Sequence, residues 1–115
     1  MKKDLVSTMD ELIPDVMLCD MYSINKIVKE DIVIWEISSP DRVSIDTVYR
    51  LFDGVLSKIH VDTLKPTSSD YWCCDVYLHR GGVEHVWDGD MVRSEVVRRK
   101  KEILRYETEC KKAYS

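Results

Sequence analysis

The chain has 115 residues, room for one domain spanning 1–115 and not two, since domains commonly run to about 100–200 residues. Hydrophobic residues make up 44% and charged residues 33%, with only 4 Gly and 3 Pro, a balance that excludes collagen-like, low-complexity and wholly disordered chains. The formal charge of -4 is unevenly spread: residues 1–90 hold 9 Lys and Arg against 17 Asp and Glu, and residues 91–115 hold 8 against 4, an acidic body that speaks against duplex DNA binding by the whole protein.

Leu5, Met9 and Leu12, with Val6 and Ile13 beside them, recur at helical spacing, and Pro14 is expected to stop that helix. Val16 to Tyr22 reads as a short extended run. Ile32-Val33-Ile34-Trp35-Glu36-Ile37 is a β-branched strand that is apolar on both parities, which predicts a central position with both faces covered. Ser44 is the expected N-cap of an amphipathic helix carrying Ile45, Val48, Phe52, Val55, Leu56 and Ile59, with Gly54 inside it as a mark of close backbone approach. After the Lys65-Pro66-Thr67-Ser68-Ser69 loop, residues 71–79 and 83–87 are predicted to form a hairpin around Arg80-Gly81-Gly82. Asp90 then caps a long helix from Met91 to about Tyr114. The predicted fold is α+β, of order α-β-β-α-β-β-α, with a mostly antiparallel sheet of about four strands and a long C-terminal helix.

Cys19, Cys73, Cys74 and Cys110 include an adjacent pair, and no secretory signal precedes them, so they read as reduced thiols in the cytoplasm. The longest apolar runs are far short of the roughly 20 residues a membrane helix needs. Neither G-x-G-x-x-G nor G-x-x-x-x-G-K occurs, which removes the usual phosphate loops. Without C-x-x-C or H-x-x-x-H spacing, no structural metal and no cofactor are expected.

Two surfaces remain. With a three-residue turn, Val76 would pair with Val86 and Tyr77 with His85. Cys73, Asp75, Tyr77, His79 and His85 would then share one sheet face, with Arg80 at its end, as a ligand or nucleotide site would require. On the C-terminal helix, Arg98, Lys101, Arg105 and Lys112 form a basic stripe opposite the line Val92, Val96, Ile103 and Cys110. Ile103, Tyr106 and Cys110 are the expected self-association residues of a homodimer.

The composition favours a small, cytoplasmic, non-enzymatic binding protein. Its expected role is that of an inhibitor or regulator of the antitoxin, immunity or phage-encoded anti-defence kind, with an acidic face that occupies a protein surface such as a basic nucleic-acid groove. A small-molecule or nucleotide binder, or a small enzyme, working through Asp75, Tyr77, His79, Arg80 and His85 is the alternative.

Overall fold

The computed structural model describes residues 4–55, 59–62, 65–66, 70–79 and 88–114, of which 65–66 and 107–114 by backbone alone. Helix α1 (Leu5–Asp15) leads to a hairpin of β1 (Ser23–Val28) and β2 (Ile32–Ser39). Helix α2 (Arg42–Phe52) then precedes β3 (Ile59–Val61), the two-residue β4 (Lys65–Pro66), β5 (Trp72–His79) and the long helix α3 (Gly89–Tyr114). With β4 set aside, this is the α-β-β-α-β-β-α order expected. The strands pair antiparallel in the order β1-β2-β5-β3, and β4 also pairs with β5.

Alternation determines which side of the sheet is inside. Val33, Trp35, Ile37 and Ser39 of β2 and Cys74, Val76 and Leu78 of β5 are buried, while their neighbours of the other parity are half-buried or exposed. Against the buried parity lie Met9, Leu12 and Ile13 of α1, Ile45, Val48, Leu51 and Phe52 of α2, and Val92 and Val96 of α3, in one hydrophobic cluster. The helices therefore occupy one side, and among the described residues no helix covers the other. β2 is central, between β1 and β5, but the expectation that both its faces are covered is corrected: Ile32 and Ile34 lie half-buried on the helix-free face.

Local chemistry shifts several expected boundaries. Pro14 falls inside α1, which runs on to Asp15, because a proline in the last turn removes one backbone bond without reaching the buried turn before it. Residues 17–22 are a connection and not a strand. Val16 is buried as the C-cap of α1, and the Leu18 N–H donates to Ser44 Oγ at 3.1 Å.

The N-cap of α2 is Asp41, not Ser44, for its carboxylate accepts from Val43 N (3.2 Å) and Ser44 N (3.3 Å). That helix ends at Phe52, and Gly54 adopts φ +68, the left-handed geometry that terminates helices. An added Cβ at Gly54 would meet nothing within 4 Å, so its role is conformational and not close backbone approach. Ile59, expected in this helix, lies instead in β3.

Two polar anchors tie the layers together. Asp10 accepts from the Trp35 indole (2.8 Å) and from Lys26 Nζ (2.8 Å), fixing α1 to β1 and β2. Arg99 of α3 donates to the carbonyls of Arg50 (3.3 Å), Leu51 (3.4 Å) and Asp53 (2.7 Å), satisfying the open C-terminal end of α2.

Candidate functional site: the helix-free sheet face

The outward parity of the sheet can be read row by row from the strand register. At one corner Ile32 stands opposite His79. The next row is Ile27, Ile34, Tyr77 and His60, and the one after it is Asn25, Glu36 and Asp75, extended past β3 by Asp62, whose N–H donates to the Asp75 carbonyl at 3.0 Å. The last row is Ser23, Ser38 and Cys73, continued on β4 by Lys65, which is described by backbone alone. One side of the face is thus aliphatic, its middle row is acidic, and its far end is hydroxylic.

Hydrogen bonds order these groups. Asn25 Nδ2 donates to Glu36 Oε1 at 2.9 Å, and the Ser23 and Ser38 hydroxyls lie 2.6 Å apart. The His60 and His79 rings meet edge to face with centroids 5.4 Å apart. The Tyr77 phenol is pushed up to about 12, first by burial, then by its hydrogen bond to Asp62 and by the charges of Asp62, Asp75 and Glu36. Three carboxylates, on β2, on β5 and just past β3, thus act together on one phenol. Cys74 points to the opposite side, and burial with the nearby charges pushes its thiol up to about 12, so it is a core residue and a poor nucleophile.

The face continues into a groove at the hydroxylic end. One hollow of about 360 Å³ is lined by Asn25, Glu36, Asp75 and the Ser23, Ser38 and Cys73 row. A second, of about 560 Å³, shares that row and is bordered by Asp20, Met21, Tyr22 and Tyr71.

Asp75, Tyr77 and His79 do share one face with Cys73, as alternation along β5 predicted. Their neighbours differ from those expected, because β5 is flanked by β2 and β3. Tyr77 faces Ile34 and His60, and Val76 faces Trp35 and Val61, so the expected pairs Val76 with Val86 and Tyr77 with His85 are replaced. Arg80 and His85 lie outside the described residues. The imidazole beside His79 is His60, a residue the sequence pattern did not single out; it follows Ile59, which helical spacing had placed in α2. Glu36 was legible from its parity within β2, the one charge in an apolar run; Asp62 and the Ser23, Asn25 and Ser38 contributions required strand order.

On α3, Arg98 is held by Glu95 and Glu102, and the Arg98 hydrogen bond keeps the Glu95 carboxyl below the usual carboxylate range. Lys101 and Arg105 are exposed, and Lys112 is described by backbone alone. Of the residues expected to self-associate, Ile103 packs against the chain's own core. Tyr106 is 68% exposed, and Cys110 is described by backbone alone.

Among the described residues no group of three or more His, Cys, Asp or Glu could hold a metal ion, and no helix is long and apolar enough to cross a membrane. Compared with known proteins, the chain matches no family model, no curated protein and no solved structure.

Proposed function

We propose that this is a cytoplasmic, non-enzymatic binding protein whose helix-free sheet face occupies a cationic surface of another protein, in the manner of an antitoxin, an immunity protein or a phage-encoded anti-defence inhibitor. The observation that carries the reading is the row Glu36, Asp75 and Asp62 across neighbouring strands of a face no described helix covers. A sheet is a stiff platform, so charges mounted on it keep their spacing when a partner approaches, and little side-chain ordering opposes binding. Such a row favours encounter with a positive groove and disfavours nucleic acid through like-charge repulsion. The two histidines and Tyr77 at the margin add aromatic surface of the kind that anchors interfaces.

The test is titration of the isotope-labelled chain with an oligo-lysine peptide, followed by amide chemical shifts. Shifts centred on Asn25, Glu36, Asp62 and Asp75 are expected, and they should shrink with added salt, because exposed charges are screened over about 8 Å at physiological ionic strength. Shifts centred on α3, or none on the sheet face, would overturn the reading. Carbodiimide coupling in a cell extract then joins these carboxylates to the lysines of whatever protein is seated on them.

A further inference from the structure

We infer that the groove at the end of this face is a receptor for an arginine side chain presented by the partner, an inference that rests on the binding function proposed above and names the chemistry the partner must carry. The groove is formed because β1, β2 and β5 all place small residues on the same row: Ser23, Ser38 and Cys73. Large side chains stand on either side of that row, with Glu36 and Asp75 on one flank and Tyr22 and Tyr71 on the other. From Asp75 to Tyr71 is four residues of extended chain, about 14 Å at roughly 3.4 Å per residue.

The lining selects its occupant. Three carboxylates (Asp20, Glu36 and Asp75) and two tyrosines border the two hollows, against one lysine, Lys65, that the β4 register sets opposite Cys73, so the described border is acidic on balance. An anion would be repelled there, and a purely apolar group would leave the Ser23 and Ser38 hydroxyls facing it without exchange of hydrogen bonds.

A cation is favoured, and the mixture of aromatic faces with carboxylates distinguishes between cations. A guanidinium is planar and weakly hydrated. It stacks on an aromatic ring while its fork of N–H donors engages carboxylate oxygens, whereas an ammonium is a strongly hydrated point charge that gains less from the rings. The stacking half of that arrangement occurs elsewhere in the molecule, on the other side of the sheet, where the Arg42 guanidinium lies 4.9 Å from the centroid of the Trp72 ring.

The Ser23 and Ser38 pair forms the floor. Their hydroxyls, 2.6 Å apart, each retain lone pairs for an N–H donor, so a guanidinium above them finds acceptors below as well as at the flank. The groove is open along its length, which admits a side chain from a folded surface and does not require a free terminus.

The probe is N-acetyl-arginine N-methylamide, titrated to about 50 mM, with the citrulline and lysine analogues in parallel; a single side chain of this kind is expected to bind in the millimolar range. Saturable amide shifts at Tyr22, Ser23, Ser38 and Cys73 with the arginine compound, and none with citrulline, are expected. Tyr71→Ala and Asp20→Asn, which border the same hollow, should each weaken that binding about two- to fivefold while leaving the remaining amide spectrum unchanged, which shows that the variants fold. Equal binding of the lysine analogue would overturn the guanidinium assignment. No saturable shift from arginine, with the oligo-lysine response of the Glu36, Asp75 and Asp62 row intact, would overturn the groove and leave the face. Silence from both probes would remove the two together.

Discussion

Phe52 is fully buried where α2 meets the sheet, and its truncation tests the core directly. Phe52→Ala should cost about 3–5 kcal/mol in urea unfolding, the usual range for an aromatic side chain replaced in a packed interior. Gly54 tests backbone conformation alone. Since a Cβ there touches nothing within 4 Å but φ is +68, Gly54→Ala should cost about 1–2 kcal/mol, the price of left-handed geometry for a residue with a side chain. Tyr77 supplies a pH signature. Its folded pKa of about 12 lies above the ordinary phenol value of about 10, so the native state holds the proton more tightly than the unfolded chain. The stabilisation this brings is complete below about pH 10 and is lost as pH rises toward 12. Phenolate absorbance should show a late-titrating component that Tyr77→Phe removes. Asp62→Asn should lower its pKa without restoring the free value, because burial, the larger cause, remains.

Among the elements, Arg99 ties α3 to the end of α2, and that contact separates a structural charge from decorative ones. Arg99 donates to three carbonyls at the end of α2 with only 25% of its side chain exposed, whereas Arg98 pairs with Glu95 and Glu102 at 55% exposure. Hydrogen bonds from a charged donor contribute about 1.5–3 kcal/mol when protected and less when wet. Arg99→Ala should therefore destabilise by about 1–2 kcal/mol in urea melts, and Arg98→Ala should leave the urea midpoint nearly unchanged, as exposed pairs do. Arg99→Lys should recover less than half of the loss, because one ammonium cannot stand at the α2 carbonyls that Nη1 reaches and also at the Glu95 carboxylate that Nε reaches. The two arginines are adjacent in sequence and identical in composition; only the position of α2 sets them apart.

At the scale of the whole molecule, charge and architecture align. The acidic row faces away from the helices, and the exposed Lys101 and Arg105 stand on the helical side. Helix α3 extends for 26 residues, about 39 Å at 1.5 Å per residue, yet among its described side chains Val92 and Val96 are the buried apolar ones and Ile103 packs on the core from the next turns. Beyond it, Leu104 and Tyr106 are 51% and 68% exposed. We propose that two copies pair through this distal part of α3. Light scattering at about 100 μM in low salt should give twice the monomer mass, and Tyr106→Asp should return the monomer without loss of helical signal. A monomer at that concentration would remove the pairing. Ile103→Asp is the wrong variant for this purpose, for it would strike the core of each protomer.

Much of this was legible in the chain itself. Periodicity is a local property, so the amphipathic pattern of Ile45, Val48 and Phe52, the alternation that sets Asp75, Tyr77 and His79 on one side of β5, and the contrast between an acidic body and a basic end could be read without a fold. Local chemistry also held the answer at Asp41 and Gly54, but the competing signals of Ser44 and of Ile59, which happens to continue a helical spacing, obscured it. Strand order was not legible. β5 pairs with β2, more than 30 residues earlier in the chain, and with β3, and nothing in the local pattern distinguishes these partners from the nearer Val83–Trp87 run. That selection depends on burying α1, α2 and α3 against a single face at once. Tertiary structure alone decided that His60 and Asp62 stand beside Tyr77, that Ser23, Ser38 and Cys73 line up as a groove floor, and that the carboxylates form a row, because each of these requires residues distant in sequence to meet across hydrogen-bonded strands.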